Sequence, residues 1–208
     1  MSESSVENFA PARLLDAARV ERLQAEYDKA DNLVRRVQDF RRRAGIPAIN
    51  ELRYAGYHLV SALSENDEQD KESHLVSAIN HCRRASYEAA EAGVMTALDR
   101  IMIFKEDYRL VTITDCIPDW IEILDRCDQY KNALARSRNK GDDRSEDYEN
   151  HMDAFDYLVT ICRRLDVARE EMNKKIIFQT TETRRFLLKA VLAVVAIVVS
   201  LIVGLVLI

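Results

Sequence analysis

The residue types best suited to chemistry in this sequence are four histidines and four cysteines. The cysteines stand far apart and form neither a Cys-x-x-Cys pair nor a zinc-finger spacing with the histidines. They are Cys82, Cys116, Cys127 and Cys162. His74 and His81 lie two turns apart on a predicted helix, too far to chelate one ion together, and no His-Glu-x-x-His pattern joins them. We therefore predict reduced, buried thiols, no metal site and no cofactor.

Spacing between arginine and histidine gives the strongest hint of catalysis. Four residues separate Arg53 from His58 and six separate Arg144 from His151, which resembles the Arg and His spacing of helical nucleases of the HEPN superfamily. With 22 arginines in 208 residues such spacings arise by chance, so we expect His58 to lie on the flank of a helix. Five glycines provide no Walker A loop, dinucleotide fingerprint or nucleophile elbow. We expect no enzyme and assign no catalytic residue.

Arginine outnumbers lysine 22 to 8 and occurs in clusters. Because a planar guanidinium binds phosphate through a fork of N–H donors, the clusters are candidate sites for an anionic ligand, a nucleotide or a single-stranded oligonucleotide. The candidate residues are Arg35, Arg36, Arg41, Arg42, Arg43, Arg83 and Arg84. A structural interpretation also stays open, because the stretch 29–43 ends a predicted helix, where cations complement the helix dipole.

The composition describes an ordered, helix-rich chain. Five Gly, three Pro and 31% charged residues exclude collagen-like and low-complexity classes. A net charge of −5 disfavours a general binder of duplex DNA, which needs clustered positive charge. The polar, acidic start over residues 1–8 does not resemble a cleavable signal peptide, so we expect a cytosolic domain.

Hydrophobic periodicity predicts an all-α protein: a cytosolic bundle of about five helices, followed by a single C-terminal transmembrane helix. We expect helices over about 11–44, 47–63 and 72–105, a fourth from about 118, and a fifth from about 145 toward 180. The segment 110–114 is a short β-branched exception. We expect a disordered N-terminus over residues 1–10, the helical cytosolic domain over 11–183 and the anchor over 184–208.

Particular apolar residues are expected to face the core of the bundle. In the first helix they alternate steps of three and four residues, typical of a bundle or coiled coil: Val20, Leu23, Tyr27, Ala30, Val34 and Val37. In the second they are Ile49, Leu52, Leu59, Val60 and Leu63, and in the fourth Ile121, Leu124, Cys127 and Leu134. Small residues over 89–93 are expected to permit close contact between helices.

The C-terminal segment predicts a membrane anchor. Ala190–Ile208 runs 19 residues without a charge, and the 23 residues from Phe186 contain only Lys189. At about 1.5 Å per residue the longer stretch measures roughly 34 Å, enough for a hydrocarbon core of about 30 Å. Arg184 and Arg185 precede it, so the positive-inside rule places the N-terminal domain in the cytoplasm. We expect a tail-anchored, single-pass protein of the cell (inner) membrane.

Small residues lie along one face of this segment, and this pattern predicts a homo-oligomer. They are Ala193, Ala196, Ser200 and Gly204. Such stripes let helix backbones approach closely in lipid, where packing drives association. Ser200 is the only polar side chain after Lys189, so a pore would need an oligomer with a mostly apolar lining. Whether 180–183 forms a continuous helix or a flexible neck stays open.

An all-helical cytosolic domain followed by an anchor resembles the membrane effectors of bacterial anti-phage defence systems, and most closely the Hailong-type membrane effector. The resemblance covers the architecture of the whole chain, with its arginine clusters and small-residue span. It implies an oligomeric, ion-permeable effector held inactive by a bound ligand or partner. The alternative is a tail-anchored adaptor or tether that recruits protein partners. A syntaxin-like fusion protein is a third possibility, although its membrane-proximal seam, 155–176, spans only about three heptads.

Overall fold

The computed structural model describes residues 16–138 and 147–206, with side chains described for 16–137 and 150–197. These residues form five α-helices and one short 3-10 helix, without a strand. The α-helices are α1 (Ala17–Arg41), α2 (Ile46–Ser64), α3 (Glu68–Asp107), α4 (Trp120–Arg138) and α5 (Asp147–Val206), and the 3-10 helix is Ile113–Asp115. The all-α prediction is confirmed for this part of the chain. The expected disordered segment, residues 1–10, lies outside it.

Side-chain caps mark the starts of α1 and α3. The Asp16 carboxylate accepts a hydrogen bond from the Ala18 amide at 3.1 Å and so caps α1. Asp67 accepts from the amides of Gln69 and Asp70 at 2.8 and 3.2 Å. Helix α3 therefore begins at Glu68, one turn earlier than the hydrophobic pattern predicts, because Asp67 satisfies amides at the exposed end.

The chain divides into two compact units, and unit 1 comprises the described parts of residues 1–99 and 127–160. In its core, α2 faces inward through Ala48, Ala55 and Ala62. The prediction for α2 is wrong in part: Ile49, Val60 and Leu63 are exposed. The physical reason is that alanines seven residues apart let the α2 backbone approach its neighbours, which leaves the larger side chains on the outer face. In α1 the predicted Val20 and Tyr27 are also exposed, whereas Leu23, Ala30, Val34 and Val37 are buried.

Gly93 marks a close helix contact in unit 1. A Cβ atom at this position would lie 2.6 Å from Cδ2 of Phe155 and 3.1 Å from Cγ2 of Val37. Phe155 is almost fully buried, and its ring meets the Phe40 ring edge-on at 5.6 Å. The expectation of close helix contact at 89–93 is therefore confirmed, with Gly93 as the residue that permits it.

Unit 2 comprises the described parts of residues 100–126 and 161–208. Phe104 occupies its core and contacts Tyr108 and Trp120 with ring centroids 4.6 and 5.8 Å apart. The predicted inward residue Ile121 is exposed, because α4 begins at Trp120 in a phase that turns Trp120 and Ile123 inward. Residues 110–114 form no strand: they belong to a turn and the 3-10 helix.

Helix α5 runs without interruption for 60 residues, about 90 Å, through the threonine-rich junction. The hydroxyls of Thr180, Thr181 and Thr183 donate to carbonyl oxygens four residues earlier at 2.7 to 2.9 Å. The open question about the junction is thus answered in favour of a continuous helix. No Gly or Pro interrupts residues 147–203, and the threonines bond back to the helix they belong to.

Beyond the core of unit 2, every residue from 177 to 197 is exposed, including Phe178, Phe186 and Ile197. Among the described residues, no helix is both long and apolar enough to cross a membrane. The predicted anchor, Ala190–Ile208, has described side chains only as far as residue 197. Of the predicted oligomerisation residues, Ala193 and Ala196 are exposed, and the Ser200 and Gly204 positions lie outside the described side chains.

Candidate functional site

Two of the predicted ligand-binding arginines bridge helices of unit 1. Arg36 on α1 forms an ion pair with Asp156 on α5, and its guanidinium lies 5.7 Å from the centroid of the Phe155 ring. Arg83 on α3 donates through Nε and Nη2 to Oε1 of Glu26 on α1, both at 3.1 Å. Both guanidiniums are already paired with carboxylates, so an incoming anion would have to displace Asp156 or Glu26.

Two further candidates lie on exposed helix surface. Arg35 forms an ion pair at 2.8 Å with Asp31, one turn earlier on α1. Such exposed pairs contribute little to stability. Arg84 is exposed on α3, next to Arg83. The structure thus holds Arg35, Arg36 and Arg83 each against its own carboxylate.

The remaining candidates, Arg41, Arg42 and Arg43, lie together where α1 ends. Arg42 adopts the left-handed conformation with φ 57°, and its amide donates to the carbonyl of Gln38 at 2.7 Å, which closes the helix. The Arg41 pKa is lowered below its ordinary value by burial and by the charge of Arg43. Within residues 16–138 and 147–206 these three arginines form no ion pair. They are therefore the predicted anion-binding residues with the most available charge.

A cavity of about 220 Å³ adjoins this arginine turn, Arg41–Arg43. Its walls are mainly apolar, and Arg41, Glu88 and Glu91 line it with them. The Arg41 Nε atom is buried and has no hydrogen-bond partner among the described residues. In the described part of the chain, this cavity joins a predicted arginine to a mainly apolar space.

A larger cavity of about 610 Å³ lies between α4 and α5 in unit 1. Polar and apolar side chains alternate around it, and Arg136, Ser137 and His151 are among them. Ser137 is buried, and its hydroxyl shares a hydrogen bond of 3.0 Å with the Tyr87 hydroxyl. His151 is also buried against the Tyr87 ring. The sequence indicates a functional role for His151 only through its nuclease-like spacing from Arg144. Arg144 lies outside the described residues.

In unit 2, a group of side chains surrounds α5, and we call it the α5 clamp. Its carboxylates come from the end of α3 and from the connection between α3 and α4, and its cations come from α5. It consists of Asp107, Tyr108, Asp115, Asp119, Arg164, Arg169, Asn173 and Lys175.

The pair of Arg164 and Asp119 is bidentate. Nη1 and Nη2 of Arg164 donate to the two carboxylate oxygens of Asp119 at 2.9 and 2.6 Å. The hydrogen bonds from Arg164 hold the pKa of the Asp119 carboxyl below its ordinary value of 3.8. Lys175 Nζ donates to Asp115 Oδ2 at 3.0 Å, nearest to the exposed part of α5. These contacts hold α5 at two points 11 residues apart.

Between these points, Arg169 and Tyr108 make a second layer of contacts. Arg169 Nη1 donates to Asp107 Oδ2 at 3.0 Å, and its guanidinium lies 5.4 Å from the Phe104 ring centroid. The Tyr108 hydroxyl donates to Asn173 Oδ1 at 2.9 Å. Sequence reasoning missed the clamp; the available signal was the acidic residues of 107–119 matched against cations at 164, 169 and 175.

Three histidines of unit 1 form a cluster. The sequence predicts the spacing of two of them on α3 but not their contact with the third, on α2. His74 and His81 lie two turns apart on α3, as expected, and both contact His58 on α2. The Nδ1 atoms of His58 and His74 lie 3.0 Å apart, and the His58 and His81 rings stack with an angle of 18°. Arg53, the partner of His58 in the nuclease-like spacing, lies over the Tyr54 ring. In the part of the chain that is described, no group of three or more His, Cys, Asp or Glu residues is arranged to hold a metal ion.

No protein-family model, curated protein or solved structure matches this chain. Three features of the chain bear on its function: the arginine turn, the α5 clamp and the exposed apolar end of α5.

Proposed function

We propose that this protein is anchored in a membrane through its C-terminal apolar segment and acts there as an oligomeric effector. The observation that carries the anchor is that residues 177–197 of α5 are exposed on every side although apolar residues dominate from Phe186 onward. A helix that is apolar all round needs an apolar surrounding, and a bilayer provides one. The charge-free sequence continues to Ile208.

The charges beside this segment support one orientation. Arg184, Arg185 and Lys189 lie on the domain side of the apolar residues. Positive residues favour the cytoplasmic side of the inner membrane. Lys189 lies within the first turn of the apolar segment, where its long side chain reaches back to lipid headgroups. The helical domain accordingly faces the cytoplasm.

The α5 clamp supports an effector rather than a passive anchor. Arg164 and Lys175 are held by carboxylates of the α3 to α4 connection, and α5 continues from Lys175 into the apolar segment without a break. A change in this connection is therefore transmitted along one helix to the membrane. The proposed control is an anionic ligand, a nucleotide or single-stranded oligonucleotide, bound at the arginine turn, as in anti-phage membrane effectors of the Hailong type.

The effector is tested by ion efflux from liposomes that contain the full chain. We expect efflux that grows with protein density, because the pore requires several copies. Replacing the small-residue stripe by leucine should abolish efflux and reduce the oligomer mass in detergent: Ala193→Leu, Ala196→Leu, Ser200→Leu and Gly204→Leu. The matched control is Val191→Leu with Val195→Leu, on the opposite face of the helix at 100° per residue. Equal efflux from both variants would contradict the proposed oligomer.

The anionic ligand is tested separately at the arginine turn. Exchanging Arg41, Arg42 and Arg43 for Glu should abolish the binding of a labelled single-stranded oligonucleotide, because it reverses three neighbouring charges that form no ion pair with the described residues. The control is Arg35→Glu with Asp31→Arg, which reverses a pair that is already neutralised. Retained binding in the triple variant would move the site away from α1.

An adaptor that recruits a protein partner is the second candidate function. The observation that favours it is the outer face of α2, which exposes several large apolar side chains: Ile46, Tyr54, Tyr57, Val60 and Leu63. Contiguous exposed apolar surface of this kind is typical of protein-binding sites. An adaptor predicts no ion efflux at any protein density, and Val60→Asp should release its partner.

A further inference from the structure

The contact between His58 and His74 depends on their protonation. Their Nδ1 atoms lie 3.0 Å apart, which is a hydrogen bond only while one nitrogen donates and the other keeps a lone pair. When both rings are imidazolium, each Nδ1 carries a hydrogen and the contact becomes a repulsion between two cations. At least one of the two rings must therefore be neutral for this contact to exist.

His81 adds a third ring to the cluster from the next turns of α3. Its Nδ1 donates to Oε2 of Glu51 at 2.7 Å, because an ionised carboxylate only accepts. Its ring stacks on His58 with centroids 5.2 Å apart. His58 is thus enclosed between two rings from α3, either of which repels it when both are charged.

We propose that the histidine cluster, His58, His74 and His81, is a pH-sensitive latch that holds the C-terminal half of α2 against α3 at neutral pH and releases it on acidification. Ala55 and Ala62 flank His58 on α2, and both are buried in one apolar core with Leu75 and Ala78 of α3. This device is independent of the proposed membrane function.

Other charged and titratable groups from α2 and from the turn before α3 also contact the cluster. On α2, Glu51 accepts from His81, and the Tyr54 and Tyr57 rings contact His81 and His58. From the turn before α3, Glu65 lies 4.0 Å from Nε2 of His74. Within the described residues, no carboxylate lies within ion-pair distance of His58. When all three rings are protonated, His58 is therefore repelled by both neighbouring rings and has no carboxylate beside it to offset the repulsion.

The pKa of His58 determines whether the latch weakens at low or at high pH. Burial, then His81 and His74, lower the pKa of His58 below its ordinary value of 6.5. The unfolded or released chain then binds a proton at this site more readily than the latched state does. The latch is fully effective above pH 6.5, and it weakens as the pH falls from 6.5 through the lowered pKa.

Hydrogen–deuterium exchange of the full chain in detergent tests the latch. We expect the amides of residues 56–64 to lose about tenfold in protection between about pH 8 and about pH 5, after correction for intrinsic exchange, and the amides of residues 155–165 to change by less than about threefold. His58→Gln keeps a hydrogen-bonding group but removes the titration, so it should abolish the difference. His74→Gln is the second variant, in case His58→Gln fails to fold.

The matched control is His151→Gln, which removes a histidine of unit 1 that lies outside the cluster. It should retain the loss of α2 protection at low pH. Unchanged protection of residues 56–64 in the natural sequence would overturn the proposal. So would an equal loss of protection in the natural chain and in both cluster variants, because it would assign the response to other groups.

Discussion

Replacing Gly93 by alanine tests the packing of unit 1 most sharply. The new Cβ would lie 2.6 and 2.7 Å from two ring atoms of Phe155, inside any real carbon contact. The ring has little room to move, because it is 2% exposed, meets the edge of the Phe40 ring and lies under the Arg36 guanidinium. Overpacking of this kind costs about 1 to 3 kcal/mol.

Gly56 provides the matched control within the same unit. It also lies in a helix interior, and a Cβ there meets nothing within 4 Å. Alanine improves helix propensity by about 1 kcal/mol at either position, so this gain cancels in the comparison. The difference between Gly56→Ala and Gly93→Ala is then the packing cost alone, about 1 to 3 kcal/mol of unfolding free energy.

The assay is urea unfolding of the full chain in detergent, followed by far-ultraviolet circular dichroism. Gly56→Ala should raise the midpoint and Gly93→Ala should lower it relative to Gly56→Ala. A Phe155→Leu background should shrink the difference, because it removes the ring that the new Cβ meets. Equal midpoints for both alanine variants would refute the close contact of α3 with α5 at Gly93.

Two further predictions concern titration and thiol reactivity. Because Arg164 lowers the pKa of the Asp119 carboxyl, this pair stabilises unit 2 above pH 3.8 and the contribution is lost as the pH falls through the lowered pKa. Arg164→Gln should remove it at a cost of about 0.5 to 1 kcal/mol, read from Trp120 fluorescence during unfolding, and an unchanged acid midpoint would contradict the pair. In native protein, a maleimide should label Cys116 first, because Cys82, Cys127 and Cys162 are buried and burial raises the pKa of Cys82 and Cys127 to about 11. Early modification of any of the three buried thiols, located by mass spectrometry, would contradict this burial.

The sequence predicts the all-α class because apolar residues recur at helical spacing, and most errors lie where size rather than polarity decides the inward face. On α2 the small Ala55 and Ala62 are buried and Val60 is exposed, since close backbone approach favours alanine over larger apolar side chains. At residues 180–183 the modest helix propensity of threonine leaves open whether the helix continues. The structure shows a continuous helix there, in which the Thr180 hydroxyl donates to the carbonyl of Ile176 one turn back.

The candidate sites depend on partners that are remote in sequence. Arg36 looks like an available phosphate ligand until α5 places Asp156 beside it, 120 residues later. His58 looks like a surface residue until the register of α2 on α3 sets it between two other histidines. Local patterns identify such side chains, and only the packing of the helices shows which are paired. The arginine turn is the exception, because Arg41–Arg43 are neighbours in sequence.

The anchor is the central claim, and extraction of membranes at alkaline pH tests it most directly. The natural chain should stay in the membrane pellet. Val194→Asp with Ile197→Asp should move it to the supernatant, because each carboxylate costs about 3 kcal/mol at the centre of a bilayer. The control, Val194→Leu with Ile197→Leu, should stay in the pellet. Recovery of the natural chain in the supernatant, or of the aspartate variant in the pellet, would contradict the anchor.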